Sequence, residues 1–430
     1  MNSLKIQIRE LRSFLILWST QSLSALGSAM TSYALIIWSY QQQGSALTTA
    51  LLSVCSYTPY IVMSIFAGAL SDKWNKKVTM LVSDSFAALC TLVLFLLMRA
   101  GKLEIWHLYC LNALNGLMNT IQQPAADVTI SLLVKKKYYQ KVSGMRSFSN
   151  SLVSILTPVI ATAVFTMFNM QAVFVFDLLS FLAAFFSLLL FIKIPDVPEE
   201  SGENHNVLES VKSGLQYLKH NRGILDLILF LSAINLVASV YNAALPAMLL
   251  SREGGGNTAL GILNAVSGTA MLIGSILTSV LPAPRSRVRV ICNTLLMSMC
   301  TENFFLAIGR SVPIWCVGAI LGWICIPFMN ANMDVLFRSR IPIGMQGRIY
   351  SVRNTLQFFT IPVGYLLGGL MVDNVFEPFM ASRSAGSFLT ALFGSGKGSG
   401  AAFLFFMIAV AGVIICLIFR KDPHIWKLDE

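Results

Sequence analysis

Charged residues are scarce in this sequence. Asp, Glu, Lys and Arg make up 12% of its 430 residues, which is about half of the roughly 25% usual in soluble domains. Hydrophobic residues make up 55%, and the mean hydropathy is +0.69. A chain this poor in charge and this rich in apolar side chains is predicted to cross a membrane many times.

Histidine is also rare, and cysteine lacks any pairing pattern. The four histidines lie mostly in predicted loops or tails, and the eight cysteines lie in apolar runs without a CxxC spacing. We therefore expect no disulfide framework, no metal site, no cofactor and no enzyme activity such as that of a membrane-embedded acyl or glycosyl transferase. A Walker loop is absent from the sequence as well, so ATP is not the expected energy source.

Twelve apolar runs of membrane-span length predict an all-α polytopic protein. The predicted spans are 13–38, 47–70, 78–99, 104–125, 147–168, 171–192, 224–249, 258–281, 288–309, 312–334, 350–371 and 400–420. The longest polar segment follows span six, which predicts two six-helix bundles, residues 1–194 and 223–430, joined by a linker at 195–222. Within that linker, the apolar spacing from Val207 to Leu218 predicts an amphipathic helix on the membrane surface.

The net charge of +11 comes from basic residues in short loops, which indicates orientation in a bilayer and no nucleic-acid partner. If the chain starts in the cytoplasm and alternates sides, 25 of its 31 Lys and Arg lie on the cytoplasmic side. This excess predicts that both termini are cytoplasmic. Because no Asn-x-Ser/Thr sequon occurs, we expect a bacterial plasma-membrane protein, and we expect it to be a monomer.

The most specific motif is a short basic turn between spans two and three, Gly68-Ala-Leu-Ser-Asp-Lys-Trp-Asn-Lys-Lys77. It resembles the loop signature G-x-L-x-D-[RK]-x-G-[RK]-[RK] of the major facilitator superfamily. The matching residues with a predicted role are Gly68, Asp72, Lys73, Lys76 and Lys77. Asn75 stands where Gly is usual, and we expect it to tolerate the same left-handed turn. An ordinary basic loop of a membrane protein is the alternative interpretation.

Further fragments resemble the macrolide-efflux type of drug exporter in this superfamily. They are Trp18-x-x-Gln21, Tyr57-Thr-Pro-Tyr60, Pro124-Ala125, Phe174-x-x-Asp177-x-x-Ser180 and Gln346-Gly347-Arg348. The resemblance implies a secondary transporter that exports hydrophobic or amphipathic drug-like compounds by alternating access, as a proton antiporter. It also implies a gating role for the basic turn together with Gly347 and Arg348, with Asp72 at the helix start near Gly347.

Other substrates on the same fold stay open, namely siderophores, lysolipids, peptides and sugars. We expect a sugar carrier to show more Gln, Asn and Trp in its cavity. We expect a siderophore or anion carrier to show buried arginines, and the predicted spans indicate none. Many proton-linked members carry an Arg in span four, and this chain has none there.

Polar side chains recur at helical spacing in spans one, four, seven and ten, which line the cavity in this superfamily. With neighbours in spans two and eleven, they are the candidate substrate-cavity residues: Gln21, Ser28, Tyr57, Asn115, Asn119, Gln122, Asn235, Asn242, Asn330 and Gln357. Interhelical hydrogen bonding is the alternative role for each of them.

Carboxylates inside the predicted spans are few, and each is costly at bilayer depth. We expect Asp84 to pair with a cytoplasmic basic residue and Glu302 to have a packing or half-exposed role. Asp177 has no Lys or Arg within a helical turn, and apolar surroundings disfavour a carboxylate. Asp177 is therefore the candidate for proton coupling, while a structural hydrogen bond to Ser180 and a substrate contact remain alternatives.

Overall fold

The computed structural model describes residues 10–135, 138–194, 207–282, 284–341, 343–384 and 386–429. Within these ranges the chain is almost entirely helical and contains no strand. The protein is all-α, as its apolar runs predict.

Six long helices form the first part of the chain. They are α1 (Arg12–Gln43), α2 (Ala46–Lys73), α3 (Lys76–Arg99), α4 (Ile105–Leu133), α5 (Tyr139–Met167) and α6 (Met170–Phe191). Helix α3 packs against both α4 and α6, and α5 packs against α6. These contacts bring residues that are far apart in sequence to the same interior.

The second part begins with α7 (Val207–His220), which spans the residues predicted to form an amphipathic helix. The helices that follow are α8 (Arg222–Ser251), α9 (Asn257–Val280), α10 (Arg287–Ile308), α11 (Val312–Trp323), α12 (Ile326–Arg340), α13 (Ile343–Phe358), α14 (Thr360–Leu370), a π-helical segment (Met371–Phe376), α15 (Glu377–Ala381), α16 (Phe388–Phe393), α17 (Ser399–Arg420) and α18 (Pro423–Trp426). Helix α8 packs against α14 and α17, and α10 packs against α11 and α17.

Ten stretches of helix in the described residues are long and apolar enough to cross a membrane. They coincide with ten of the twelve predicted spans. Helices α1 and α4, which cover the other two, are 32 and 29 residues long. At 1.5 Å per residue each exceeds about 40 Å, more than the roughly 30 Å hydrocarbon core. What they lack is uniform apolarity, because these are the helices that carry Gln21, Asn115 and Gln122.

Several helices continue beyond the apolar run that predicted them, because backbone hydrogen bonding does not depend on an apolar side chain. Helix α13 begins at Ile343, so Gly347 is its fifth residue. The N–H groups without an intrahelical partner therefore lie ahead of Gly347, and not at the position expected to face Asp72. Past the predicted end of span eleven, the π-helical segment and α15 carry the chain to Ala381.

The chain divides into two compact units. The first comprises Met1–Trp38 and Cys55–Asn204, and the second comprises Ser39–Val54 and His205–Glu430. The end of α1 and the start of α2 thus pack within the second unit, which a division into consecutive halves does not anticipate. A Cβ at Gly369 would lie 2.6 Å from the Leu47 Cα, so a glycine is needed where α14 meets α2.

The C-terminal residues form hydrogen bonds and an ion pair with other parts of the second unit. The Asp429 carboxylate accepts hydrogen bonds from the Ser286 hydroxyl (2.5 Å) and the Arg287 N–H (2.9 Å), which caps the start of α10. His424 Nδ1 lies 3.5 Å from Asp226 and 3.2 Å from Asp422. The contact with Asp226 joins α18 to α8, while Asp422 is the N-cap of α18 itself.

Candidate functional site

A cavity of about 380 Å³ lies within the first unit, and this volume falls in the range of small-molecule sites. Its wall comes from α1, α3, α4, α5 and α6, with one residue, Ser56, from α2. Five predicted cavity residues line it: Gln21, Ser28, Asn115, Asn119 and Gln122. Two carboxylates and one guanidinium, those of Asp84, Asp177 and Arg146, also line it.

One close helix contact helps to shape the cavity wall. At Gly116 of α4, an added Cβ would overlap the backbone carbonyl of Ser56 on α2. Only glycine permits this approach, since every other residue carries a Cβ. Asn115 and Asn119 lie close to this contact on α4 and line the cavity. The close approach of α4 to α2 therefore helps to position their amide groups.

Asp177 is 4% exposed, and its carboxylate accepts only from hydroxyl groups among the described residues. Ser28 donates to its Oδ1 at 3.0 Å. Thr31 and Thr91 donate to its Oδ2 at 3.0 and 2.9 Å. These donors come from α1 and α3, so Asp177 joins three helices. The predicted contact with Ser180 is also present, but the Ser180 hydroxyl donates to the backbone carbonyl of Asp177, at 2.8 Å.

The approach of α1 to α6 depends on Gly27. A Cβ at Gly27 would lie 3.0 Å from both the Cα and the Oδ1 of Asp177 and would overlap the Ser180 hydroxyl. A larger residue here would push α1 away from Asp177. The three hydroxyl bonds of Asp177 therefore depend on this glycine.

Asp84 is 9% exposed and is held by two amides. Gln21 Nε2 donates to Asp84 Oδ2 at 2.9 Å, and Gln122 Nε2 donates to Asp84 Oδ1. The expectation of a basic partner is wrong for the described residues, where both partners are neutral. Sequence reasoning placed Gln21 and Gln122 in the cavity but did not connect them to Asp84, because they lie 63 and 38 residues from it.

The two carboxylates stand at different levels of the same cavity. Asp84 and Thr91, the α3 partner of Asp177, are seven residues apart, as are Gln21 and Ser28 on α1. Seven helical residues rise about 10.5 Å. Over these two turns α1 and α3 both reach Asp84, a residue of α3, at one end and Asp177, a residue of α6, at the other.

Neither carboxylate has a cationic partner in the described part of the chain. The ion pairs there join Lys135 to Glu10 and His424 to Asp226 and Asp422. Arg146 lines the cavity but pairs with neither Asp84 nor Asp177. A further acceptor is close by, since Asn115 Oδ1 is buried and has no hydrogen-bond donor among the described residues.

The second unit holds a buried carboxylate of its own. Glu302 on α10 is 5% exposed. Its Oε1 accepts the Tyr241 hydroxyl at 2.5 Å and the Trp323 indole N–H at 2.6 Å. A Cβ at Gly322 would lie 2.6 Å from Glu302 Oε2, so a glycine makes room for the acid.

Glu302 occupies the same place along its helix as Thr91 does in the first unit. Thr91 lies 15 residues beyond the start of α3 at Lys76, and Glu302 lies 15 residues beyond the start of α10 at Arg287. Helices α3 and α10 are the third long helix of their respective halves. In the described residues, a buried acid therefore meets this position of the third long helix in each half: Asp177 of α6 accepts from Thr91 in the first, and Glu302 itself stands there in the second.

The remaining predicted cavity residues do not line this cavity. Asn235 Nδ2 donates to the Gln357 backbone carbonyl at 3.0 Å, while Asn242 and Asn330 are exposed. Tyr57 is 40% exposed and is absent from the cavity wall.

The predicted gating residues are described only in part. The side chains of Gly68, Asp72, Lys73, Gly347 and Arg348 lie outside the described residues. Lys77 Nζ donates to the carbonyls of Leu189 (3.0 Å) and Ile192 (2.7 Å), where a cation stabilises the C-terminal end of α6. Lys76 Nζ donates to the Trp74 carbonyl at 3.2 Å.

Asn75 has a different role from the one expected. Its φ is −61°, and its side chain accepts from the N–H groups of Lys77 and Val78. It is the N-cap of α3, a position that Asn favours. The left-handed turn expected from its replacement of Gly is not formed.

Arg252, just after α8, is buried in the second unit at 9% exposure, so the expectation of no buried arginine is wrong. Its guanidinium donates to the carbonyls of Leu306 (3.1 Å) and Phe393 (3.0 Å). Burial lowers its pKa to about 10, so the group stays charged at neutral pH. Because its donors are taken by backbone carbonyls, Arg252 is not free to bind an anionic substrate.

Asp373 is a polar contact that sequence reasoning missed, because span eleven was predicted to end at residue 371. Its carboxylate accepts the Ser45 hydroxyl (2.6 Å) and the N–H groups of Ala46 (3.0 Å) and Leu47 (2.9 Å). It thereby caps the first turn of α2. The available signal was Gly44-Ser45 ahead of an apolar run, which marks a helix start in need of an acceptor.

The chain is similar in sequence to known bacterial transporters. Macrolide efflux protein A of Streptococcus pyogenes is 23% identical over 366 residues, which is 84% of this chain and 90% of that protein. The staphyloferrin A transporter of Staphylococcus aureus is 22% identical over 161 residues, 36% of this chain and 40% of that protein.

Among solved structures, the nucleoside transporter NupG superposes with a TM-score of 0.68 at 11% identity, covering 94% of this chain and 99% of that one. That likeness concerns the fold. The model of the Major Facilitator Superfamily matches residues 17–375, which is most of the chain. The protein described here therefore belongs to the major facilitator superfamily.

Proposed function

We propose that this protein is a secondary active transporter that exports hydrophobic or amphipathic drug-like compounds by alternating access, in exchange for protons. The observation that carries the proposal is the polar cavity of the first unit, which buries two carboxylates without a cationic partner among the described residues. The similarity to macrolide efflux protein A supports export and the substrate class. The excess of Lys and Arg on one side supports a plasma-membrane protein with both termini in the cytoplasm.

Asp177 is the proposed proton-coupling residue. A buried carboxylate in a membrane span is costly when charged, and its partners decide whether it tolerates a proton. Each hydroxyl of Ser28, Thr31 and Thr91 is a donor and also an acceptor. The same three groups can therefore satisfy Asp177 as a carboxylate or as an acid. A purely structural Asp177 would use the same contacts, so an experiment has to separate the two roles.

The substitution Asp177→Asn separates them, because Asn keeps the shape and hydrogen bonding but cannot release a proton. In inverted vesicles supplied with a macrolide or a cationic dye, we expect proton release driven by the compound to fall at least tenfold while binding is retained. Asp334→Asn, which removes an exposed carboxylate, is the control. Nearly normal proton release from Asp177→Asn would assign the residue a structural role.

A siderophore exporter is the second candidate, favoured by the similarity to the staphyloferrin A transporter. An anionic cargo needs cationic contacts, and in the described part of the cavity Arg146 is the one charged donor. Competition decides between the candidates. Inhibition of macrolide uptake into inverted vesicles by other lipophilic compounds, and not by ferric or free staphyloferrin A, supports the first proposal.

A further inference from the structure

The two carboxylates of the cavity differ in the chemistry of their partners. Asp177 receives three hydroxyls, which donate or accept according to need. Asp84 receives two amide nitrogens, from Gln21 and Gln122, and an amide N–H₂ group donates only. With both amides turned in this direction, an acid proton on Asp84 would face donors only. The local contacts therefore favour Asp84 as a carboxylate.

The buried Asp84 carboxylate has no compensating positive charge among the described residues. The cavity has three charged groups in its described wall, Asp84, Asp177 and Arg146, and Arg146 pairs with neither acid. Two neutral hydrogen bonds offset only part of the cost of removing an ion from water. A positive charge that enters the cavity would supply the missing partner in surroundings of low dielectric, where the attraction is strong.

We propose that Asp84, oriented by Gln21 and Gln122, is a cation-recognition site, and that the transported compounds are lipophilic organic cations whose charged group binds there. This inference rests on the proposed export function and specifies its substrate class. Asp84 and Asp177 then have separate tasks. Asp84 binds the charge of the substrate. Asp177 exchanges the proton, and its α1 and α3 partners Ser28 and Thr91 lie about 10 Å further along those helices than Gln21 and Asp84.

The side chains around Asp84 suit the binding of an organic cation. Asn115 Oδ1, a buried acceptor without a donor among the described residues, and Asn119 line the same cavity. Phe14, Leu17 and Met80 add apolar surface to the wall. A site that combines an uncompensated carboxylate with apolar walls matches an organic cation better than an inorganic one, which would require several oxygen ligands.

Binding of a matched pair of compounds to the purified full-length protein in nanodiscs tests the inference. Tetraphenylphosphonium is a permanent lipophilic cation, and triphenylphosphine oxide is a neutral compound of related shape. We expect the wild-type protein to bind the cation at least tenfold more tightly. The substitution Asp84→Asn should abolish this preference, while Asp84→Glu, which keeps the charge, should retain most of it.

The outcomes are distinct. If neither compound binds the wild-type protein, the proposed function fails and takes this inference with it. If both bind equally well, or if Asp84→Asn keeps the preference, the export proposal stands and the inference is overturned. Loss of the preference in Asp177→Asn but not in Asp84→Asn also overturns it, because the cation then binds at the other acid. Asp334→Asn controls for loss of a negative charge elsewhere, and size-exclusion profiles confirm that each variant is folded.

Discussion

Single residues in this protein are defined by the partners they meet across helices. Glu302 illustrates this point. Its place in span nine predicts a packing or half-exposed role. The structure buries it and gives it two donors, the Tyr241 hydroxyl and the Trp323 indole N–H. Both donate to the same oxygen of a buried acid. Removing that oxygen would leave two buried donors unsatisfied, which is costly away from water.

The substitutions Glu302→Gln and Glu302→Ala should therefore differ. A Gln carbonyl can accept both donors, so we expect a loss of unfolding free energy within about 1 kcal/mol. Ala leaves two unsatisfied donors and a void, and we expect a loss of about 3 kcal/mol or more. Thermal denaturation in detergent measures both. An equal loss in the two variants would show that the negative charge of Glu302, and not its oxygen, is what stabilises the second unit.

At the scale of elements, the start of α2 depends on an acceptor supplied by a distant segment. Ser45 is positioned as the N-cap of α2, and its hydroxyl accepts the Thr48 N–H at 3.1 Å. The Asp373 carboxylate accepts the N–H groups of Ala46 and Leu47, although it is more than 320 residues away in sequence. Nearby, the Tyr40 hydroxyl donates to the Ala247 carbonyl at 3.1 Å. The turn between α1 and α2 is thereby fixed within the second unit.

Replacement of Asp373 should loosen this turn. Asp373→Ala removes the acceptor of three hydrogen bonds. We expect the free energy of unfolding to fall by about 1–3 kcal/mol, since hydrogen bonds to a charged group are stronger than those between neutral groups. Ser45→Ala should cost less, because both N–H bonds to Asp373 remain. Thermal denaturation measures the lost stability. Hydrogen exchange of the Ala46 and Leu47 N–H groups shows whether the first turn of α2 has become less protected. Unchanged protection there in Asp373→Ala would contradict a capping role.

Two of the predicted spans are less apolar than the other ten. Helices α1 and α4, which cover them, run 32 and 29 residues but fall below the mean hydropathy of the other ten stretches in the described residues. Some of their polar side chains face the cavity of the first unit, where Gln21 and Gln122 donate to Asp84. A helix can therefore be predicted at these positions from spacing, while its polarity reflects the cavity it helps to build.

For the whole molecule, orientation in the membrane follows from the distribution of Lys and Arg. The 25 basic residues on one predicted side outweigh the 6 on the other, which predicts that the segment between the two predicted halves faces the cytoplasm. The prediction holds only for an even number of spans. A measurement of the orientation therefore tests the predicted count of twelve spans as well as which side of the membrane each loop faces.

Cysteine labelling measures this orientation. In a variant whose eight native cysteines are replaced by serine or alanine, His205→Cys should resist a membrane-impermeant maleimide in whole cells and react in inverted vesicles. Lys397→Cys, in the turn before α17, should behave in the opposite way. Labelling of position 205 from outside the cell would overturn the predicted topology.

The sequence by itself determined the class of protein, the positions of most helices and the polar faces of α1 and α4, because apolar length and helical spacing are local properties. It placed Gln21, Ser28, Asn115, Asn119 and Gln122 on faces that the structure brings to one cavity. It could not determine the partners of Asp84, Asp177, Glu302 and Asp373. Those partners lie on other helices, up to hundreds of residues away, and helical periodicity does not reveal which faces meet. Only tertiary packing decided that Asp84 meets two amides, that Asp177 meets three hydroxyls, and that the two acids therefore differ in chemistry.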